Sequence, residues 1–371
     1  MSTLTVRRTA SASAKAAAPQ PDPDVTVQGP ARIHAALDRV SHPVRINPLL
    51  LGGGILAWVG FALVVLFMPN ESSQSLRDLQ AIDAMRTPIA IAGLLVAVAW
   101  AGIWALSASD SRLGRWAHGH ATHGAAWLLG LALWALFWEY STAKTAALAP
   151  PYFQSPQAVL NAIWTDHGLL AESLGNSLLL LVVGFVVGLV AGLVTGVTIG
   201  WFQQANYWVH PILIFLGPVP SLAWVPLVFV LAPSAYSGAV FMIALSVWFP
   251  ITVLTRAGVL SVPRSYFDVA QTLGAKGAFL VARISLPAAL PSIFTGAFMA
   301  LGASFVSLTV AENFGVNSGL GWYLNWKKGW GDYAGVYAGI VVLVVVCGVL
   351  LTLLFRSRNW VLRWEKELTR W

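Results

Sequence analysis

Three histidines and one glycine-rich stretch carry the residue types that most often do chemistry. His118, His120 and His123 fall within six positions of one predicted loop, and imidazoles at such spacing can ligate a metal ion. No anionic ligand joins them, so we favour a polar loop and expect no metal. Gly274–Gly277 (GAKG) lacks the Gly-x-x-x-x-Gly-Lys-Ser/Thr spacing that grips phosphate. We therefore expect no catalytic residue, no cofactor and no ATP hydrolysis by this chain.

Two carboxylates and one thiol lie in or beside strongly apolar runs. Glu139 and Glu312 fall close to the ends of predicted membrane spans. An intramembrane carboxylate is a candidate functional group, whereas one at the interface can reach water. Both interpretations stay open, and the interfacial one is favoured. Cys347 is the only cysteine, which excludes an intrachain disulfide and predicts a small apolar packing residue.

The segment from Arg264 to Pro287 has the pattern of a compact helical elbow. Residues 265–273 lack Gly and Pro and predict a short helix that ends at Gly274. Residues 276–285 predict a second helix, which Pro287 stops. The small residues at the turn allow close packing, and they are Ala270, Gly274, Ala275 and Gly277. The apolar side chains that flank it, its apolar knobs, are Phe267, Leu273, Phe279 and Leu280. Such an elbow fits insertion into another protein better than the alternative, a structured re-entrant loop.

The composition decides in which solvent these elements lie. The 371 residues are 57% hydrophobic and only 10% charged, with a mean hydropathy of +0.71. Soluble domains carry about 25% charged residues, so this chain predicts a polytopic membrane protein in a lipid bilayer. The net charge of +7 does not indicate nucleic acid, because no basic stretch interleaved with aromatics accompanies it.

Eight apolar segments are long enough to cross a bilayer, which needs about 20 residues. The predicted class is therefore all-α, with about eight transmembrane helices. Residues 1–48 read as a polar, disordered tail without a signal peptide, and residues 31–40 within it predict a short amphipathic helix. The predicted spans are 49–68, 88–107, 124–143, 173–200, 209–231, 238–256, 289–311 and 335–355.

Glycines and prolines distinguish two of these spans. Gly184, Gly188, Gly192 and Gly196 recur every fourth residue, which puts them on one helix face and predicts close packing of another helix. The next span is broken by four prolines, and its freed carbonyls need protein or a cavity around them. Residues 217–226 are accordingly our candidate for lining a pathway, with kinking for packing as an equal alternative.

Positive charges predict the orientation. With the N-terminus in the cytoplasm, 17 of the 22 Lys and Arg residues fall on the inner side of the eight spans. This bias predicts a multi-pass inner-membrane protein with both termini in the cytoplasm. The elbow then faces the cytoplasm, and Lys276 and Arg283 read as ordinary charges facing water.

The elbow resembles a known family motif. Asp268-Val269-Ala270, then Gly274, then Ile284-Ser285-Leu286-Pro287 resembles the EAA loop of bacterial ABC importer permeases. The family pattern is Glu-Ala-Ala, three residues, Gly, nine residues, then Ile-x-Leu-Pro, and the spacings agree throughout. The departures are Asp268 for Glu, which keeps the charge, and Val269 for Ala, which adds modest bulk.

Three further stretches are similar to the nitrate/sulfonate/taurine-type subfamily. They are Tyr152–Leu160 (YFQSPQAVL), Leu213–Pro226 (LIFLGPVPSLAWVP) and Glu312–Leu324 (ENFGVNSGLGWYL). The resemblance extends over roughly residues 125–371. It implies a six-span type I importer core at 124–371, with its coupling loop at 264–287. Residues 49–123, two extra spans and a loop, have no counterpart in the typical member.

The resemblance implies partners and a mechanism. The chain would be one half of a permease dimer, most simply a homodimer, that meets two copies of an ATP-binding cassette subunit and an extracytoplasmic solute-binding protein. It implies an ATPase-coupling set (Asp268, Ala270, Gly274, Ala275, Ile284, Leu286 and Pro287). We expect the pathway to be lined by the glycine face and by Pro218, Pro220, Ser221, Trp224 and Pro226.

The resemblance also implies a class of solute, small oxyanions or organic acids such as nitrate, sulfonates or taurine, although the subfamily also includes importers of aromatic acids and vitamin precursors. A secondary carrier and a membrane enzyme are the alternatives. The first needs ionisable groups at mid-membrane and the second needs clustered catalytic side chains, and the sequence offers little of either.

Overall fold

A computed structural model describes residues 48–71, 76–109, 111–217 and 219–364. The tail at 1–47, the helix expected at 31–40 and Pro218 lie outside these residues. The described chain is helical. In chain order its α-helices are α1 Pro48–Phe67, α2 Leu76–Ser107, α3 Arg112–Glu139, α4 Pro156–Thr165, α5 His167–Trp201, α6 Gln203–Leu216, α7 Val225–Leu231, α8 Ala235–Leu260, α9 Arg264–Thr272, α10 Ala278–Leu280, α11 Leu286–Ala311, α12 Leu320–Gly329 and α13 Tyr333–Val361.

Six helices in the described residues are long and apolar enough to cross a membrane, or up to eight if two bent pairs each count as one span. The bent pairs are Arg112–Ala121 with His123–Lys144, at 48°, and Gln203–Leu216 with Ser221–Leu231, at 92°. The predicted spans at 49–68, 88–107, 173–200, 238–256, 289–311 and 335–355 coincide with the six helices. Those at 124–143 and 209–231 coincide with the bent pairs.

Helices α1, α2 and α3 pack on one another as an N-terminal group. The indole Nε1 of Trp58 on α1 donates to the carbonyl of Leu128 on α3, at 3.2 Å. Phe61, Ile89 and Ala135, one residue from each helix, share a buried cluster. The packing therefore groups three spans at the N-terminus, where the sequence suggested two. The domain boundary at 123–124 stays a prediction.

The glycine face of α5 packs against α8, as the four-residue period predicted. A Cβ on Gly188 would lie 2.5 Å from the carbonyl oxygen of Ala244, and one on Gly192 would lie 2.7 Å from Cβ of Ile251. Such distances leave no room for a side chain, so the two backbones approach closely over several turns. Gly184, Gly188, Gly192 and Gly196 are all buried.

Helices α5 and α8 run parallel, because successive glycines of α5 meet successively later residues of α8. Gly184 faces Ile243, and Gly196 faces Thr255. The chain between two parallel neighbours must return to its starting end, so α6 and α7 together lead back along the bundle. We call the end that carries α9 the elbow end, and the opposite end, which carries α12, the far end.

Helix α11 runs antiparallel to α8 and continues the elbow. Gly258 of α8 faces Ala289 and Ser292 of α11. The expectation that Pro287 stops a helix is wrong, because the chain passes from α10 through a π turn at Val281–Ser285 into α11. Pro287 lies in the first turn of α11, directly after this π turn.

Candidate functional site

The elbow has the predicted helix–turn shape. Helix α9 has no buried residue, and it ends where the amide of Ala275 donates to the carbonyl of Ala270, at 2.9 Å. Gly274 follows with φ +88°, a left-handed conformation that favours glycine. The helix predicted at 265–273 and its end at Gly274 are therefore confirmed within a residue.

The apolar knobs of the elbow divide into two kinds. Leu273 is 83% exposed at its tip, and Phe279 is 55% exposed. Phe267 is half-buried and meets the ring of Trp201, the last residue of α5, edge-on at 5.7 Å. Leu280 is buried, so its expected role as an exposed knob is wrong. Sequence reasoning did not single out Tyr266, which is also exposed.

The residues assigned to ATPase coupling fall in two places. Asp268 and Gly274 are exposed on the elbow, and no other atom lies within 4 Å of the position of a Cβ at Gly274. Ala270 and Ala275 are partly buried beside them. Ile284, Leu286 and Pro287 lie at the elbow's base, where it joins α11, and are partly buried. Asp268, Gly274 and Leu273 therefore form an exposed surface at the tip. The residues of the base are partly packed within the chain.

A cleft of about 710 Å³ opens between the bend after α6, helix α8 and helix α11. Three predicted pathway residues, Pro220, Ser221 and Trp224, line it. The hydroxyl of Ser221 lies 2.7 Å from that of Ser307 on α11. Pro226 lies in the first turn of α7 and is exposed, outside the lining. Most of the remaining lining comes from α8 and α11, including Phe241, Trp248, Phe249, Met299 and Val306.

Sequence reasoning missed the contribution of α8 to the cleft. Phe241, Leu245 and Trp248 recur at helical spacing, and this periodicity was a usable signal. A smaller cavity of about 300 Å³ shares Gly217, Phe249 and Val253 with the cleft and adds His210 and Arg256. Arg256 lies in α8 rather than in a loop, and its Nε donates to Asn206 Oδ1 at 2.9 Å.

The expectation that the glycine face lines the pathway is wrong. That face is filled by α8 along its length, as the contacts of Gly188 and Gly192 show. A surface from which a methyl group is excluded has no room for a solute. Its function is packing.

Glu139 is fully buried, so the expectation that it reaches water is wrong. Both of its side-chain oxygens accept hydrogen bonds from the amide of Gln157 on α4, at 2.8 and 2.7 Å. Lys144, also buried, lies 3.5 Å from Glu139 Oε1. Its Nζ also donates to the carbonyl of Met68 at 2.9 Å and to Asn70 Oδ1 at 2.8 Å. The pair therefore ties the far ends of α1, α3 and α4 together.

Glu312 is buried as well, and its expected contact with water is also wrong. Its Oε1 accepts from the hydroxyl of Ser177 on α5 at 2.5 Å, and its Oε2 accepts from the amide of Gly321 at 2.6 Å. Ser177 in turn accepts from the amide of Leu320 at 2.8 Å. These two amides are the first of α12, so Ser177 and Glu312 cap that helix from outside it.

A polar cavity of about 790 Å³ lies at the far end, between α2, α4 and the chain around α12. On its wall, Lys327 Nζ lies 2.5 Å from Asp166 and 3.0 Å from Asp332. Partial burial lowers the pKa of Lys327, but the two carboxylates outweigh it and leave the pKa raised. Burial, with a hydrogen bond to Asp166, also raises the pKa of Tyr323. Lys327 therefore carries its positive charge at neutral pH.

The three histidines lie on α3, so the loop predicted for them is wrong. The His120 ring packs against that of Trp116, with 4.2 Å between the ring centroids. Across residues 48–71, 76–109, 111–217 and 219–364, no group of three or more His, Cys, Asp or Glu side chains is arranged to hold a metal ion.

A polytopic helical bundle with a solute-sized cleft and a protruding helical elbow has the construction of a transport permease. Residues 184–363 match the family described as the inner membrane component of binding-protein-dependent transport systems. The chain belongs to this family of ABC importer permeases, within its nitrate and sulfonate subfamily.

Three relatives illustrate the similarity. The bicarbonate transport system permease protein CmpB of Synechococcus elongatus is 32% identical over 147 residues, which are 40% of this chain and 52% of that protein. SsuC of Escherichia coli, provisionally named an aliphatic sulfonates transport permease, is 34% identical over 200 residues, 52% of this chain and 76% of SsuC. The nitrate import permease protein NrtB of Leptolyngbya laminosa is 30% identical over 148 residues, which are 40% of this chain and 53% of NrtB. The chain thus spans about half the length of the bicarbonate and nitrate relatives.

Proposed function

We propose that this chain is the transmembrane permease subunit of an ATP-driven importer. Two copies form the translocation pathway, two ATP-binding cassette subunits hydrolyse ATP, and an extracytoplasmic solute-binding protein delivers the solute. Membership of the importer family supports this assembly. The proposal places six core spans and the additional N-terminal spans in the inner membrane.

The orientation follows from the helix directions and the charges. If each bent pair is one span, the chain crosses eight times, and the start of α1 and the end of α13 share the elbow end. The positive-inside bias favours the cytoplasm for that end. The elbow then faces the compartment that contains ATP.

The observation that carries the proposal is the exposed apolar tip of the elbow. A leucine that is 83% exposed at a tight turn offers an anchor for a pocket on another protein. The tip continues through the π turn into α11, which lines the cleft. A partner that moves the tip therefore moves the wall of the cleft. Binding energy from ATP can bias two packings of the bundle in this way.

The cleft and the smaller cavity support a small anionic solute. The cleft is largely apolar, with Ser221 and Ser246 among its polar groups, while Arg256 and His210 line the smaller cavity beside it. Arg256 places a positive charge on the elbow-end side of the cleft. Such a charge draws an anion inward, and relatives named for bicarbonate, nitrate and sulfonates fit the same solute class.

Leu273→Ser tests the coupling role. We expect the variant to insert and fold normally, because the side chain contributes little to packing. We expect recovery of the Walker-loop ATPase subunit with the tagged chain to fall at least about tenfold, as for loss of an interface anchor. The readout is the ratio of ATPase subunit to permease in purified complexes. Leu273 is a cleaner test than Gly274, where any side chain also strains the left-handed backbone.

Leu49→Ser is the matched control. Leu49 is 82% exposed at the same end of the bundle but lies on α1, outside the elbow. We expect this variant to retain the ATPase subunit in equal number. Full recovery with Leu273→Ser, or equal loss in both variants, contradicts a coupling role for the elbow tip.

A further inference from the structure

Helix α11 connects the elbow, the cleft and a buried glutamate in one continuous element. The helical chain from Ala278 to Glu312 comprises 35 residues, about 52 Å at 1.5 Å per residue. Its first turns belong to the elbow, and Met299, Ala303 and Val306 line the cleft. Glu312 lies at its far end. A displacement of the elbow along this rod therefore reaches Glu312.

At that end Glu312 joins three elements through neutral donors. It accepts hydrogen bonds from the Ser177 hydroxyl of α5 and from the Gly321 amide of α12. Ser177 in turn accepts a hydrogen bond from the amide of Leu320. No Lys, Arg or His of the described residues forms an ion pair with it. We call Glu312, Ser177 and the first two amides of α12 the far-end latch.

The local sequence leaves space for the carboxylate. A Cβ on Gly319 would overlap the Glu312 carboxylate, and Gly319 also has φ +103°. A Cβ on Gly321 would lie 2.8 Å from Oε2 of the same group and 2.7 Å from the carbonyl oxygen of Thr309. The motif that runs from Glu312 to Leu324 therefore serves to seat one carboxylate against the start of α12.

We propose that Glu312 is a positioning residue for transport, and that the far-end latch holds the outer end of α11 against α5 and α12 until the elbow moves. This inference rests on the proposed function and adds that motion of the elbow is transmitted to Glu312. The Ser221–Ser307 contact lies about one and a half turns along α11 from Glu312, so release of the latch also shifts the wall of the cleft.

Glu312→Gln and Ser177→Ala break the latch from opposite sides. The glutamine keeps the volume but places an NH₂ against one of the two donors. We expect the lost hydrogen bonds to make the released state about tenfold more populated. Because the two variants break one unit, the double variant is expected to be no worse than Glu312→Gln alone.

The first measurement follows the latch directly. Spin labels at Leu179 on α5 and Trp330 at the end of α12, both exposed, report the separation of the two helices in the full chain with Cys347→Ser, diluted with unlabelled chain. We expect one narrow distance distribution in the parent protein and a broadened, longer one in both latch variants. Unchanged distances in both variants overturn the latch.

The second measurement uses the complex with its ATPase subunits. A released latch no longer requires the loaded binding protein to open the far end, so ATP hydrolysis without binding protein is expected to rise about tenfold. Unchanged hydrolysis in both variants overturns the positioning role. A parent complex that hydrolyses no ATP contradicts the importer proposal instead, and the distance measurement still decides the latch.

Glu139→Gln is the matched control. Glu139 is equally buried near the same end, but it belongs to the N-terminal group and not to α11. We expect this variant to lose stability while the distance distribution and the basal hydrolysis stay those of the parent. If Glu139→Gln changes both readouts as Glu312→Gln does, the effect is general destabilisation and the inference fails.

Discussion

One glutamate is buried near the far end in each of two regions, the N-terminal group α1–α3 and the core helices α5, α8 and α11. The two regions differ in the groups that bind its carboxylate. Glu139 is paired with Lys144, and both of its oxygens accept from the side-chain nitrogen of Gln157. Glu312 receives only a hydroxyl and a backbone amide. A cation held by several carbonyls makes a joint that is costly to break, whereas neutral donors are readily replaced by water or other groups. Together with the proposed latch, the comparison predicts a fixed N-terminal group beside a movable core.

Lys144→Met is the largest perturbation we predict. It leaves Glu139 buried without its cation, and breaking a buried pair by removing one partner costs about 3–5 kcal/mol. Equilibrium unfolding of the purified chain in mixed micelles measures the loss. We expect the double variant with Glu139→Gln to recover most of it. A loss below about 1 kcal/mol contradicts the view that this ion pair fixes the N-terminal group.

Glycine-to-alanine changes compare how tightly the two regions are packed. Gly188→Ala places a methyl 2.5 Å from the Ala244 carbonyl oxygen and 2.7 Å from Cβ of Val247, neither of which can rotate away. We expect a loss of about 1–3 kcal/mol in the same unfolding measurement. Gly54→Ala in the N-terminal group places a methyl 2.9 Å from Cδ2 and Cγ of Leu128 and 3.1 Å from the backbone nitrogen of Leu129. The Leu128 side chain can shift and the backbone contact is longer than at Gly188, so a smaller loss is expected.

Gly175→Ala is the control for that comparison. Gly175 lies on α5, and no atom lies within 4 Å of the position of its Cβ. Alanine there is expected to stabilise the helix by about 0.5–1 kcal/mol. If Gly188→Ala raises the free energy of unfolding as Gly175→Ala does, that result contradicts the close approach of α5 and α8.

The smallest effect concerns Lys327, at the cavity between the N-terminal group and the core. Because its pKa is raised above 10.5 in the folded protein, its contribution to stability is complete below pH 10.5 and is lost as the pH rises through the folded value. We expect a constant unfolding midpoint between about pH 7 and 9 and a decline above about 10.5. Lys327→Met should lower the midpoint slightly at pH 7 and reduce the alkaline decline. A parent midpoint that falls between pH 7 and 9 contradicts this assignment.

Local patterns predicted the spans and the elbow because each depends on neighbouring residues. Hydropathy over about 20 residues located the six continuous helices, and the four-residue glycine period located the α5 packing face. A turn glycine marked the end of α9. The sequence did not say what the glycine face would pack against, and the expectation that it lined the pathway was wrong for that reason.

Burial of the two glutamates was mispredicted because their partners are distant in sequence. Gln157 lies 18 residues from Glu139, and Ser177 lies 135 residues from Glu312. Likewise, Leu280 was expected to be exposed, but the helical continuation into α11 turns it inward. Placement in three dimensions, which no local window contains, decided these cases.

The parallel pairing of α5 with α8 has a consequence for biosynthesis. Since synthesis proceeds from the N-terminus, α5 leaves the ribosome well before α8, with the broken α6 and α7 between them. During that interval the groove left by its glycines has no protein to fill it. Lipid chains or a membrane insertase must occupy the groove until the later helix arrives and displaces them. We expect truncation before residue 235 to yield an inserted but incompletely packed polypeptide, an early substrate for membrane quality-control proteases.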